Sequence, residues 1–101
     1  MESYCAIKEK QDLYYETCRL HDSYNRKLSS IQDFVGRLKS CLNEMTDVEQ
    51  NATKTEIYFY ELEMESIEER LYCIKKRRDN LIAILKCIDL SFPESQRGNW
   101  N

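Results

Sequence analysis

The longest regular pattern in this chain runs from Ile57 to Ile88 and reads IYFYELEMESIEERLYCIKKRRDNLIAILKCI. Residues recur there at alternating spacings of three and four, which is the pattern of positions a and d in a coiled-coil heptad. The members of this stripe are Ile57, Tyr60, Met64, Ile67, Leu71, Ile74, Arg78, Leu81, Leu85 and Ile88. Only Arg78 is not apolar. The pattern predicts a long helix that packs one seam against another helix.

A second stripe with the same spacing lies in the first half of the chain. Its clear members are Tyr24, Leu28, Ile31, Val35, Leu38, Leu42 and Met45. Further upstream the stripe blurs, because Leu13 competes with Tyr14, and Leu20 with His21. We therefore predict a first helix over about residues 3–48, in which Gly36 is either a tolerated surface glycine or a point of close approach.

The polar interval over residues 46–56 predicts a turn between the two helices. The heptad phase slips by one residue there, and Thr53-Lys54-Thr55-Glu56 fits the capping box that begins many helices. Asn51 suits the left-handed conformation that ends a helix. We predict a turn at about 49–54 and a second helix at about 55–90. One continuous helical rod with a one-residue skip is the alternative.

A turn centred on Asn51 sets the register of an antiparallel pair. It places Met45 opposite Ile57, Val35 opposite Ile67, Thr17 opposite Leu85 and Tyr14 opposite Ile88. It also places Arg78 opposite Tyr24, where the guanidinium can stack on the ring. Among the charges, Lys39 then faces Glu61 favourably, whereas Lys27 faces Arg77 unfavourably.

The composition agrees with an all-α fold of two antiparallel helices. The chain has 101 residues with 2 glycines and 1 proline, too few for a fold that needs many tight turns. One domain is expected at this length, a helical hairpin over residues 1–91. Pro93 ends the second helix, and residues 92–101, which include Trp100, are predicted to form a flexible tail.

Few residues could carry catalytic or metal chemistry. The 5 cysteines contain no Cys-x-x-Cys pair, and His21 is the 1 histidine, so we expect reduced, buried cysteines and no metal site. A two-helix hairpin offers no pocket for catalysis, and no glycine-rich phosphate loop is present. We expect no enzyme activity, no cofactor and no small-molecule substrate.

The charge and hydropathy patterns argue for a protein of the cell interior. The net charge is -3, which gives no general attraction for nucleic acid, and the basic cluster at 75–78 is interpreted as a solvated helix face. No apolar run is long enough for a membrane span or a signal peptide. We expect an intracellular location, cytoplasmic in preference to nuclear, and no secretion.

Apolar residues beyond the seam predict an interaction surface. A lone hairpin buries one stripe per helix, so other apolar side chains stay exposed unless a partner covers them. The residues predicted to bind a partner are Phe34, Phe59, Leu62, Arg78, Ile82 and Ile84. We therefore expect the hairpin to associate into a larger helical bundle, with copies of itself or with other coiled-coil proteins.

These features predict a structural or adaptor subunit that assembles a multi-protein complex through helix packing. In architecture alone the chain resembles the small coiled-coil subunits of kinetochore, vesicle-adaptor and cytoskeletal complexes. The alternative is a small helical chaperone or client-binding cofactor, similar in shape to prefoldin-type hairpins. Such a chaperone uses the helix tips, whereas an assembly subunit uses the long helix faces.

Overall fold

The chain folds into two long helices that pack against each other as a hairpin. The computed structural model describes residues 4–88, so the predictions for the tail, for Trp100 and for the end of the second helix near residue 90 lie outside the described residues. Helix α1 spans Tyr4–Cys41, a 3-10 turn spans Leu42–Glu44, and helix α2 spans Asp47–Ile88. No strand occurs in this part of the chain. The predicted all-α hairpin is confirmed, and the continuous rod is wrong.

The packing contacts divide the chain into two units. The first unit contains residues 4–22 of α1 and 73–88 of α2, and the second unit is Ser23–Tyr72, which includes the turn. The largest buried side chains of the first unit are Tyr14 and Leu85, which form a cluster with Leu81. The second unit buries the aliphatic residues Val35, Ile57 and Ile67.

Burial follows the two predicted stripes. Every member of the stripe from Ile57 to Ile88 is buried or half-buried, and so is every clear member of the α1 stripe. Upstream, Tyr14 and His21 are buried, whereas Leu13 and Leu20 are exposed. The regular spacing of three and four therefore decides which side chain is buried, even where the exposed neighbour is the more hydrophobic residue.

The turn lies one heptad earlier than predicted. Thr46 caps α2: its hydroxyl accepts the backbone N–H of Glu49 at 3.3 Å, and the Glu49 carboxylate accepts the backbone N–H of Thr46 at 3.3 Å. This is the reciprocal capping box, formed by Thr46 and Glu49 rather than by Thr53 and Glu56. The predicted turn at 49–54 is wrong, because those residues belong to α2.

Contacts around the earlier turn explain why the chain reverses there. The Gln50 side-chain amide donates hydrogen bonds to the carbonyls of Leu42 at 2.8 Å and Met45 at 3.3 Å. The Leu42 carbonyl also accepts the backbone N–H of Met45 at 3.1 Å. Asp47 and Glu49 lie in the first turn of α2, where the helix dipole favours negative charge. Gln50 and Thr53 are half-buried and extend the α2 stripe in phase with Ile57.

The earlier turn shifts the helix register by about one heptad. In the second unit the Phe34 ring packs edge-on against Tyr60 with centroids 5.2 Å apart, a contact that a turn centred on Asn51 does not produce. In the first unit Tyr14 packs with Leu81 and Leu85 rather than with Ile88. The predicted pair of Tyr14 with Ile88 is wrong, since a heptad seam can match at any seven-residue offset.

Of the two interhelical ion pairs of the second unit, one was predicted and the other was not. Lys39 lies 3.6 Å from Glu61, which confirms that predicted pair. Lys27 lies 3.6 Å from Glu63, so the predicted clash of Lys27 with Arg77 is wrong. Both pairs are largely solvent-exposed, and such pairs contribute at most about 1 kcal/mol each.

Gly36 and the cysteines show how much of the helix surface faces solvent. A Cβ added at Gly36 meets nothing within 4 Å, so Gly36 is a surface glycine and not a point of close approach. All five cysteines are thiols, but Cys5, Cys41, Cys73 and Cys87 are exposed and only Cys18 is half-buried. The prediction of buried cysteines is wrong for those four, because they lie off the seam.

Candidate partner-binding face

The side of α2 that points away from the seam carries a second heptad stripe. Its members alternate at spacings of four and three, as the seam residues do, and all are exposed. We call this set the outer stripe; it contains Val48, Ala52, Thr55, Phe59, Leu62 and Ser66. None of its members is charged, and Val48, Phe59 and Leu62 are large and apolar, so the second unit presents a largely apolar ridge on the face opposite to the seam that α1 fills.

The large members of the outer stripe are strongly exposed. The exposed fraction is 80% for Val48, 61% for Phe59 and 43% for Leu62. Tyr58, which is 59% exposed, lies beside the stripe, and its ring contacts the Phe59 ring edge-on at 5.6 Å. Exposed aromatic and aliphatic side chains in one contiguous patch are typical of an interaction surface.

Thr55 fits an apolar ridge despite its hydroxyl. The Thr55 Oγ1 donates a hydrogen bond to the carbonyl of Asn51, one helical turn earlier, at 3.0 Å. This back-bonding satisfies the hydroxyl within the helix. A partner that packs on Thr55 therefore does not have to supply a new hydrogen bond for it.

Acidic residues border the outer stripe. Glu49, Glu56 and Glu63 follow one another at seven-residue spacing along one margin, and Glu65 lies on the other margin beyond Tyr58. Glu69 stands at the position that follows Ser66 in the stripe and ends the apolar ridge. All five carboxylates are on exposed residues, so the ridge lies within a negatively charged surface.

The structure brings two of the predicted partner-binding residues together on this face. Phe59 and Leu62 are neighbours on the outer stripe, whereas Phe34 lies on α1. Phe34 is 38% exposed, packs on Tyr60 and has the Arg37 guanidinium 6.0 Å from its ring centre. Phe34 therefore contributes to the packing of the hairpin itself.

The other three predicted residues belong to the first unit. Ile82 is half-buried and packs against the cluster of Tyr14, Leu81 and Leu85. Ile84 is also half-buried. The Arg78 side chain is only 12% exposed and donates to the Asp79 carboxylate at 2.7 Å, which is an attachment within its own helix.

The predicted partner-binding residues include neither Val48 nor Tyr58. The predicted first helix ends at Val48, because the predicted turn lies one heptad later than the observed one. Once the turn is known, Val48 takes its place at the start of the outer stripe. The signal that could have found it is the spacing of four and three from Val48 through Ala52 and Thr55 to Phe59.

The seam of the first unit contains buried polar groups. The Thr17 hydroxyl donates to the carbonyl of Leu13 at 2.7 Å. His21 is buried, and this burial lowers its pKa from the usual 6.5; the positive charges of Arg78 and Lys75 lower it further, while Asp22 raises it. His21 is therefore held in its neutral form more firmly than a free histidine.

Neither a metal-binding cluster nor a membrane-spanning stretch occurs in the described residues. Residues 4–88 contain no cluster of three or more histidine, cysteine, aspartate or glutamate side chains arranged to hold a metal ion. Within the same residues, neither α1 nor α2 has a stretch long and apolar enough to cross a bilayer.

Comparison with known proteins gives no relative for this fold. No protein-family model, no curated protein and no solved structure matches the chain. The outer stripe and its acidic margins are therefore interpreted from their own geometry and charge.

Proposed function

We propose that this protein is a non-enzymatic coiled-coil subunit or adaptor that assembles a multi-protein complex through helix packing. The observation that carries the proposal is the outer stripe, an apolar heptad ridge on the face of α2 opposite to a seam that α1 already fills. A helix with apolar ridges on two opposite faces is suited to packing between two neighbours. The hairpin supplies one neighbour, and a partner protein supplies the other.

The energetics of burial support a partner on this face. A side chain such as Phe59 or Leu62 contributes about 1.5–3 kcal/mol when it moves from water into an apolar contact. The second unit itself has few buried apolar side chains, namely Val35, Ile57 and Ile67. A further helix on the outer stripe adds a second apolar layer to a thin core, which is how helical bundles are stabilised.

Copurification with a surface variant tests the proposal. The tagged full chain carrying Phe59→Ser and Leu62→Ser is expected to lose a stoichiometric partner that the wild-type chain retains, while its helix content by circular dichroism stays unchanged. The matched control is Lys54→Ser with Glu68→Ser, which alters two exposed residues of α2 outside the stripe. A partner that stays bound to the Phe59→Ser/Leu62→Ser protein contradicts the proposal.

The second candidate function, a chaperone that binds clients at the hairpin tip, draws on Val48, which is exposed and close to the turn. Leu42 and Met45, the other apolar residues of the tip, are half-buried. Replacing residues 42–45 with a glycine-containing loop, with Thr46 and Glu49 retained, separates the two functions. Loss of aggregation suppression with the new loop favours the chaperone, whereas retained partner binding favours the assembly subunit.

A further inference from the structure

We propose that the outer stripe binds an amphipathic helix of a different protein, whose apolar ridge is bordered by lysine or arginine residues. This inference rests on the proposed function and adds the chemistry of the partner. It commits to one kind of occupant, a basic amphipathic helix, over a second copy of this chain.

The spacing of the outer stripe selects a helix as its occupant. The six members alternate by four and three residues, which is the pattern that receives the knobs of a second helix. Residues 48–66 span about 27 Å at roughly 1.5 Å per residue. A partner helix of about five turns therefore covers the whole ridge.

The charges of the margins select a basic partner. A helix that packs along the ridge brings its own flanking residues next to the row of Glu49, Glu56 and Glu63 on one side and Glu65 on the other. Lysine or arginine at those flanking positions gains from the glutamates, and acidic residues are repelled. Lys27, 3.6 Å from Glu63, shows that this row already attracts a basic side chain within the hairpin.

The same charges disfavour an antiparallel second copy on this face. Antiparallel packing of two outer stripes sets each glutamate row against its own copy, with Glu56 near Glu56 and Glu49 near Glu63 of the second molecule. Like charges at these flanking positions reject a pairing that the ridge alone would allow. In a parallel pair Glu65 lies near Arg70 of the second molecule, so a parallel homodimer is an outcome that the experiment below has to distinguish.

The outward face of α1 does not offer the required ridge either. The residues at the equivalent outward positions of α1 are exposed and polar or charged: Asp12, Glu16, Arg19, Ser23, Arg26, Ser30, Asp33 and Arg37. No apolar stripe lies among them, so these outward positions of α1 do not supply a matching ridge. The exposed apolar residues Leu13 and Leu20 lie on another side of α1, beside its seam.

Designed peptides test the inference on the full-length protein. The probes are three helical peptides of about five turns. The first has a leucine ridge with lysine flanks, the second has the same ridge with glutamate flanks, and the third has lysine flanks with serine in place of leucine. Binding is measured by fluorescence anisotropy at low and high salt. The leucine–lysine peptide is expected to bind at least about tenfold more tightly than either of the others.

Variants of the protein link the binding to the stripe and its margins. Phe59→Ser with Leu62→Ser is expected to abolish binding of the leucine–lysine peptide. Glu56→Lys with Glu65→Lys is expected to remove the preference, so that this variant binds the lysine-flanked and glutamate-flanked peptides about equally, because its margins then carry two glutamates and two lysines. Neither change touches Glu49, which caps α2, or Glu63, which pairs with Lys27.

Four outcomes overturn the inference. The first two are that the wild-type protein binds both leucine peptides equally, or that it binds the serine peptide as tightly as the leucine–lysine peptide. The third is that it binds none of the peptides. The fourth is that the wild-type protein is a homodimer in sedimentation experiments and that Phe59→Ser with Leu62→Ser dissociates it. If a copurified partner is nonetheless lost from that variant, the proposed assembly function stands and only the basic character of the partner fails. If the partner is retained, the proposed function itself fails.

Discussion

The two units of the hairpin bury side chains of different size, and each leaves apolar side chains exposed, Leu13 and Leu20 in the first unit and Phe59 and Leu62 in the second. The first unit buries large side chains around Tyr14 and Leu85, each only 1% exposed, and accommodates the polar Thr17 and His21 in the same seam. The second unit has an aliphatic seam and leaves Phe59 and Leu62 on its outer face. The first unit therefore resembles a small core, and the second resembles a core that lacks a layer.

This difference separates the residues that stabilise the hairpin from those available to a partner. Both classes contain leucine, phenylalanine or tyrosine, so residue type alone does not distinguish them. What distinguishes them is the face of the helix on which each residue falls. The comparison can be tested by making the same substitution on both faces.

The largest expected effect comes from leucine-to-alanine substitution in the two environments. Leu85→Ala is expected to lower the free energy of unfolding by about 2–5 kcal/mol, because it removes a buried side chain and leaves a cavity beside Tyr14. Leu62→Ala, at 43% exposure, is expected to change it by less than about 0.5 kcal/mol. Urea denaturation followed by circular dichroism measures both. Equal losses would contradict the assignment of Leu62 to a partner-binding face.

A smaller effect is expected at the turn of the second unit. Glu49→Ala is expected to cost about 1 kcal/mol, because the carboxylate no longer accepts the Thr46 backbone N–H and the helix dipole loses a favourable charge. Glu56→Ala is the matched control, since Glu56 occupies the same place in the T-x-x-E sequence one heptad later but lies within α2. A larger loss for Glu56→Ala would place the turn near Asn51 after all.

The fold was predictable from the sequence, but the turn was not. Spacing of three and four identifies both helices and their buried faces, because burial of an apolar stripe is the main source of helix stability in a hairpin. The position of the turn is degenerate, since Thr46-Asp47-Val48-Glu49 and Thr53-Lys54-Thr55-Glu56 carry the same capping signal seven residues apart. The hydrogen bonds from Gln50 to Leu42 and Met45 favour the earlier one, and such tertiary contacts are not visible in local sequence.

The candidate site was predictable only in part for the same reason. Phe59 and Leu62 stand out in the sequence because they lie off the seam whatever the turn position. Val48 depends on the turn, and its role in the outer stripe appears only when α2 begins at Asp47. Ile82 also lies off the seam, yet it packs against the Tyr14 cluster, because a large aromatic residue widens the buried face of the first unit.

Gly36 offers a gain of stability on α1 of the second unit. Gly36→Ala is expected to raise the free energy of unfolding by about 0.5–1 kcal/mol, because alanine loses less backbone entropy in a helix and a Cβ meets no atom within 4 Å. The midpoint of urea denaturation measures the gain. Ser40→Ala is the comparison on the same helix, because it also introduces alanine but removes a hydroxyl that donates to the carbonyl of Arg37 at 2.8 Å. A loss of stability in Gly36→Ala would show that α1 is closely approached at this position.

The smallest expected effect is on the pH dependence of the first unit, because a single buried histidine causes it. The pKa of His21 is lowered below 6.5 in the folded state by burial and by the charges of Arg78 and Lys75, partly offset by Asp22. Between the lowered pKa and 6.5, the unfolded chain binds a proton that the folded chain does not. The stability contributed by neutral His21 is therefore complete above pH 6.5 and is lost as the pH falls through the folded pKa.

An NMR titration measures this pKa directly, because His21 is the one histidine of the chain and its ring signals are unambiguous. Arg78→Met is expected to raise the pKa and to weaken the pH dependence of urea denaturation above pH 5, whereas Lys86→Met, an exposed change in the same unit, should leave both unchanged. A wild-type pKa at or above 6.5 would show that the seam around His21 is open to water, and the contrast between a closed first unit and an incomplete second unit would then fail.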